Sequence, residues 1–180
     1  MGTTYLIVNP DRREFLDPVV LLRSDRFAGV VAGPPAQAVL LLTARGTALD
    51  GLPQAGSWHG DRVLLAGDGD AADLHGVRTA LPERPDRNLV GLAEEEYTDL
   101  SLAALALVAQ ADRAGAAQWA TAAAQDDAVL VRLAAAALTS GSAALRDALA
   151  HGVGTDWEQR YRKAAGRDTP ITRRLHRAGA

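Results

Sequence analysis

The N-terminal fold is decided by a stretch that reads Tyr5-Leu6-Ile7-Val8-Asn9-Pro10-Asp11-Arg12-Arg13-Glu14-Phe15-Leu16-Asp17. The β-branched and aromatic residues at its start favour a strand. Asn9-Pro10-Asp11-Arg12 follows as a turn signal, because proline presets φ and the short polar side chains bond nearby amides. The apolar residues after the turn predict a return strand, which Pro18 either ends or places at a sheet edge. This part of the chain therefore predicts a β-hairpin.

Three further elements are predicted before residue 100. Residues 36–44 are apolar nearly all round, which predicts a fully buried element, and the prolines before them favour a helix. Residues 61–68 hold an apolar run between two Gly-Asp turns, which indicates a buried strand. Residues 89–97 predict a short helix, and Asp99 and Ser101 are candidate N-caps for a longer one. Periodicity alone leaves residues 19–45 open between helix and strand.

From residue 101 onward the sequence predicts helices only, with apolar residues at helical spacing on an alanine-rich background. Thr155-Asp156-Trp157-Glu158 predicts a capping box that starts a last helix, which Gly166 stops. We expect Pro170 to end any continuation. The predicted class is α+β. A small mixed α/β domain with a β-hairpin spans residues 1–100, an alanine-rich all-α extension spans 101–166, and a mobile basic tail spans 167–180.

The composition excludes several classes of protein. The 180 residues include no cysteine, which rules out a disulfide scaffold, zinc ribbons, iron–sulfur clusters and thiol nucleophiles. The chain contains no Gly-x-Gly-x-x-Gly and no P-loop, so we expect no cofactor. No signal-like apolar region opens the chain, and no window of about 20 residues is wholly apolar. We therefore expect a cytoplasmic protein of bacterial type without membrane contact.

Charge is unevenly spread along the chain. Residues 155–180 carry seven basic and three acidic side chains, a net charge of +4, whereas the other residues carry a net charge of −7. A basic tail binds nucleic acid, an anionic membrane or an acidic protein, or it is simply solvated. No aromatic residue follows Gly166 to stack on bases, so we favour solvation or self-association over nucleic-acid binding.

Two motifs resemble a known group of proteins. Tyr5-Leu6-Ile7-Val8-Asn9-Pro10-Asp11-Arg12-Arg13-Glu14-Phe15 is similar to the opening of small uncharacterised bacterial, archaeal and phage proteins, which begin Tyr-Leu-Val-Asn-x-Asp-Lys-Lys-Glu-Tyr. Those proteins later carry Trp-x-Gly-Asp-Arg-Val and then Gly-Asp, as in Trp58-His59-Gly60-Asp61-Arg62-Val63 and Gly67-Asp68 here. The resemblance covers residues 4–108 and implies an architecture without a reaction. Residues 125–138 also resemble one copy of a HEAT-type repeat, although a solenoid needs about three copies and alanine-rich composition alone can produce the match.

An acidic loop is the best candidate for metal chemistry. Carboxylates near the ends of one strand can converge on a hard divalent cation, which then activates water for hydrolysis. The spacing is not that of a calcium loop, and solvated turn carboxylates are the simpler interpretation. The candidate ligands are His59, Asp61, Asp68, Asp70, Asp73 and His75.

A second set of residues is predicted to bind a partner. The charges at the hairpin tip form either a recognition tip or a solvated turn with cross-strand pairs. Trp157 and Tyr161 share one helical face, where core anchoring and an interface are both open, and a homodimer through the helices is one alternative. The candidates are Asp11, Arg12, Arg13, Trp58, Trp157, Tyr161, Arg173 and Arg174.

These observations favour a non-enzymatic protein that acts through contacts with another protein. A regulatory or immunity-type role fits such a small acidic protein by analogy. No serine or histidine stands in a catalytic motif, which argues against an enzyme without excluding one. Two alternatives stay open: a metal-dependent hydrolase that uses the loop from Asp61 to His75, and a nucleic-acid accessory protein that uses the basic tail.

Overall fold

The computed structural model describes residues 4–23, 27–45, 54–69, 88–167 and 169–177. These residues form an α+β fold with a small sheet and a helical C-terminal part, which confirms the predicted class. The strands are β1 (Tyr5–Asn9), β2 (Glu14–Leu16), β3 (Leu64–Gly67) and β4 (Thr98–Asp99). The helices are α1 (Phe27–Val30), α2 (Pro34–Thr43), α3 (Leu89–Glu96), α4 (Ser101–Ala111), α5 (Arg113–Ala123), α6 (Asp127–Ser140), α7 (Ala143–Gly152), α8 (Trp157–Ala165) and α9 (Pro170–Arg177).

The predicted hairpin is confirmed. β1 and β2 pair antiparallel, with Val8 opposite Phe15. The side-chain oxygen of Asn9 accepts the backbone N–H groups of Asp11 and Arg12, each at 3.1 Å, so the asparagine builds the turn. Arg13 completes the reversal at φ 56°, in the left-handed region that non-glycine residues seldom adopt.

The sheet has the strand order β3-β1-β2-β4 and separates two apolar clusters. β3 pairs antiparallel with β1, and β4 runs parallel to β2. Side chains alternate across β1, so Leu6 and Val8 pack with α3 on one face. Ile7 points to the other face and joins the core of the helical part. Strand β3 and helix α3 both lie where the sequence predicted them.

Helix α2 confirms the favoured helix but corrects its predicted burial. Ala38 and Leu42 are buried on one face, which packs against α4. Leu40 lies on the opposite face and is 68 % exposed. A helix that is apolar all round is fully buried only where neighbouring elements cover every side. No described element covers the face of α2 that carries Leu40.

The helices after residue 100 stack in two layers. α4 contacts α6 and α6 contacts α8, while α5 packs against α7 beside them. α2 extends the first layer by packing on α4. The resemblance of residues 125–138 to one copy of a HEAT-type repeat stays a prediction. The core continues from the sheet into these layers, since Ile7 and Trp58 belong to the same cluster as Leu105 and Leu133.

The C-terminal predictions need two corrections. The capping box is not formed: Asp156 is the N-cap of α8 without a side-chain bond, and Trp157 instead donates its backbone N–H to the Gly154 carbonyl at 3.1 Å. Pro170 does not end helical structure but begins α9, because proline lacks only an N–H that the first helical turn leaves without a partner anyway. Leu175 of α9 is buried, while the mobility predicted for residues 167–180 stays a prediction.

Candidate functional site

Two ion pairs cross between the hairpin tip and the loop before β3. Arg62 donates three hydrogen bonds to the carboxylate of Asp11. Its Nε and Nη2 both donate to Oδ1, at 2.9 Å and 2.6 Å, and its backbone N–H donates to Oδ2 at 2.8 Å. Asp61 Oδ2 accepts from Arg12 Nε at 2.6 Å and from Asn9 Nδ2 at 3.1 Å. The register of β1 with β3 brings these residues together. Asp11 and Arg12, predicted to bind a partner, thus join two segments of their own chain.

The pKa values follow from these contacts. Hydrogen bonds from Arg62 hold the pKa of Asp11 below its ordinary value. Bonds from Asn9 and then Arg12 lower the pKa of Asp61 in the same way. Both carboxylates already accept hydrogen bonds from arginine side chains. A metal ion would have to displace these donors, which disfavours metal binding by Asp11 and Asp61. Of the predicted tip residues, only Arg13 keeps an exposed side chain without an ion pair in the described part of the chain.

Trp58 anchors the loop that follows α2. The indole is fully buried, and its Nε1–H donates to Glu14 Oε2 at 2.6 Å. The backbone N–H of Trp58 donates to the Leu42 carbonyl at 2.8 Å. The ring is therefore part of the core and offers no surface to a partner.

The structure separates the described members of the predicted metal site. Asp61 lies before β3 beside the hairpin tip, whereas Asp68 lies at the other end, where its N–H donates to the Thr4 carbonyl at 3.0 Å. A four-residue strand spans roughly 13 Å, too far for both carboxylates to bind one ion. His59 Nδ1 is 3.3 Å from the Thr43 carbonyl. Among the described residues no group of three metal-binding side chains occurs. Asp70, Asp73 and His75 lie outside the described residues.

The C-terminal candidates also have structural roles. Trp157 is buried in the core, and Tyr161 packs partly buried against it, which favours the anchoring interpretation. Arg174 Nη1 donates to Asp17 Oδ2 at 2.6 Å, and the Asp17 side chain is only 7 % exposed. This pair ties α9 to the residue that follows β2. Arg173, the neighbouring residue on α9, is exposed.

The partly buried carboxyl of Asp99 lies next to this pair, and the sequence indicated it only as a candidate helix cap. Asp99 Oδ1 accepts the N–H of Ser101 at 2.8 Å and also the Ser101 hydroxyl. The same hydroxyl oxygen accepts the Asp17 N–H at 2.7 Å. Burial raises the pKa of Asp99 to about 6, against the lowering effect of the Ser101 bonds, and Asp17 and Glu94 raise it further.

An apolar groove, which we name the α2 groove, lies between α1, α2 and β3. Its volume is about 420 Å³. The lining residues are all apolar: Ile7, Val30, Val31, Ala36, Val39, Leu40, Val63, Leu64 and Leu65. Val31 is 54 % exposed and Leu40 68 %. This surface was not predicted, because the apolar pattern of residues 36–44 indicated burial on every side.

Comparison with known proteins finds no relative: no family model, no curated protein and no solved structure matches the chain. The resemblance of the hairpin and the Trp58 segment to the small uncharacterised group stays a prediction. Among the helices in the described ranges, none combines the length and the apolar character that crossing a bilayer requires.

Proposed function

We propose that this is a non-enzymatic protein-binding protein whose α2 groove takes an uncharged, apolar segment of a different protein. The observation that carries the proposal is the clustering of exposed apolar side chains. Among the described residues, four large hydrophobic side chains are exposed, and Val31 and Leu40 line the groove. Phe27 begins the short helix that forms one wall, and Leu138 lies apart on α6. Such clustering is typical of an interaction site.

The chemistry of the groove defines the occupant. No lining residue carries a charge or a polar side chain, so a charged segment would lose its hydration without gaining a partner. Burying an exposed leucine or valine contributes about 1–2 kcal/mol, since these side chains are already half covered. An apolar segment that covers Val31 and Leu40 therefore gains several kcal/mol from this surface alone.

A different protein fits the groove better than a second copy does. If two copies of the chain met groove to groove, two concave surfaces would face each other and neither groove would be filled. In the parts of the chain that the structure describes, the exposed large hydrophobic residue away from this wall is Leu138, which is only 39 % exposed. The described part of the chain thus offers another copy no matching apolar projection. The absence of cysteine supports a cytoplasmic setting, and a regulatory or immunity-type role remains part of this proposal.

Site-specific crosslinking tests the proposal. A photoreactive amino acid replaces Leu40 in the full chain, expressed in its own host, and Leu138 is replaced in a matched control. We expect one protein to be captured from position 40 and not from position 138, and Val31→Lys to abolish that capture by placing a charge in the groove.

Three results would contradict the proposal. Equal capture from both positions would mean non-specific contact, and capture unchanged by Val31→Lys would place the partner elsewhere. A product at twice the mass of the chain would replace the different protein with a second copy. Circular dichroism of each variant verifies that the fold is retained.

A further inference from the structure

Beyond the protein-binding proposal, we infer that three cations at the end of α8 form a contact site for the phosphate backbone of a nucleic acid. We name Arg160, Lys163 and Arg167 the α8 basic cluster. They line one surface pocket of about 220 Å³ together with Ala164 and Asp127. The cluster lies apart from the α2 groove, which shares no lining residue with it.

The three cations reach one pocket from two adjoining segments. Arg160 and Lys163 lie at i and i+3 on α8, so their side chains are neighbours on one face of the helix. Arg167 follows the end of the helix at Gly166 and lines the same pocket. A group of cations around one pocket matches a polyphosphate strand, where one negative charge follows another at short, regular intervals.

Two of the three cations are available to an anion for different reasons. Lys163 is exposed and makes no hydrogen bond or ion pair within the described part of the chain. Arg167 Nη1 bonds Asp127 Oδ2 at 2.7 Å, but both side chains are more than half exposed. Exposed pairs of this kind contribute about 0–1 kcal/mol, so a phosphate can displace Asp127.

Arg160 supplies a fixed position. Its Nη2 donates to the Ala124 carbonyl at 3.1 Å and its Nη1 to the Val153 carbonyl at 3.5 Å, which are the ends of α5 and α7. The guanidinium is thereby held in place before a ligand arrives, although the carbonyls offset part of its charge. Arg160, Lys163 and Arg167 together with Asp127 give the pocket a net charge of +2, which favours a phosphate over a neutral ligand.

The tail after Gly166 has no aromatic residue to stack on bases. The pocket, however, takes Arg160 and Lys163 from α8 and needs only phosphate contacts. The absence of a stacking platform now implies contact with phosphates without recognition of bases. The acidic remainder of the chain opposes such binding weakly, because salt at 0.15 M screens charges beyond about 8 Å.

Salt dependence of duplex binding tests the inference. The probe is a fluorescent 20-base-pair DNA duplex, titrated by anisotropy with the full chain between 50 and 200 mM salt. Three phosphate contacts predict a slope of about −2.7 in log K against log salt, and therefore roughly 40-fold weaker binding across that range. Lys163→Gln is expected to make the slope shallower by about 0.9.

The matched control is Arg162→Gln. Arg162 lies on the same helix, is 79 % exposed and pairs with Glu158 at 3.7 Å, outside the pocket. Arg162→Gln removes one positive charge, as Lys163→Gln does, but outside the pocket, so the slope of log K against log salt should stay unchanged. Asp127→Asn should tighten binding, because it releases Arg167 from its ion pair. Equal losses in Arg162→Gln and Lys163→Gln would overturn the site. Equal binding of poly-glutamate or of phosphatidylserine vesicles would overturn nucleic acid as the ligand, as would no binding at 50 mM salt.

Discussion

Replacing Asp99 by asparagine should stabilise the protein at neutral and alkaline pH. Asp99 is the last residue of β4 and is partly buried next to α4, and this burial raises its pKa to about 6 from an ordinary value of 3.8. Asparagine keeps the oxygen that accepts the N–H of Ser101 and removes the charge that Asp17 and Glu94 repel. The substitution therefore removes an unfavourable buried charge with little change in shape.

The magnitude follows from the pKa. A difference of about 2 pKa units between folded and unfolded states corresponds to about 3 kcal/mol. Because the folded-state pKa is the higher one, the protonated carboxyl stabilises the fold below about pH 4, and this contribution is lost as the pH rises through about 6. We expect Asp99→Asn to match the parent at pH 4 and to exceed it by about 2–3 kcal/mol at pH 8.

Urea unfolding followed by tryptophan fluorescence between pH 4 and pH 8 measures this difference. The control is Asp126→Asn at the N-cap of α6, where asparagine caps as well as aspartate, so the change should stay within about 0.5 kcal/mol at every pH. A stability gain that does not vary with pH, or a loss at pH 8, would refute the assignment of a buried, proton-binding carboxyl to Asp99.

Two further substitutions test the packing. Arg174→Met leaves the Asp17 carboxylate buried without its cation and should lower the free energy of unfolding by about 2–3 kcal/mol, reduced from the fully buried case because Arg174 is partly exposed. Adding Asp17→Asn should recover part of that loss, and a single variant as stable as the parent would disprove the pair. Gly152→Ala places a Cβ 2.7 Å from the Ala120 carbonyl carbon, which should lower the unfolding free energy by about 1–3 kcal/mol. Gly69→Ala enters open space and serves as its control, so equal effects on the melting temperature would contradict the close approach.

The hairpin could be predicted because its determinants are local. Strand propensity and the Asn9-Pro10 turn lie within a few residues of one another, and Asn9 builds the turn with its own side chain. The C-terminal caps were equally local but ambiguous, since Pro170 is compatible with both the end and the first turn of a helix. The backbone bond from Trp157 to Gly154 then replaced the capping box.

The candidate sites depended on contacts that no local pattern contains. Asp61 bonds Arg12 across 49 positions in the sequence, and only the register of β1 with β3 makes them neighbours. The same register sends Asp61 and Asp68 to opposite ends of a strand, which a clustering of acidic residues in the sequence could not reveal. Exposure of Leu40 likewise depends on which elements leave the outer face of α2 uncovered.

The alanine-rich composition explains how the helical part holds together despite its small side chains. Each alanine buries little area, so stability has to come from many contacts at short distance. Gly152 meets the backbone at Ala120 and Thr121, and this close approach joins α7 to α5. In the neighbouring layer, the alanines of α6 from Ala134 to Ala137 are all buried, which leaves few large side chains to define the surface. Of the four large apolar side chains that are exposed among the described residues, Val31 and Leu40 line the α2 groove at the junction with the sheet, where the partner that we propose would add apolar area.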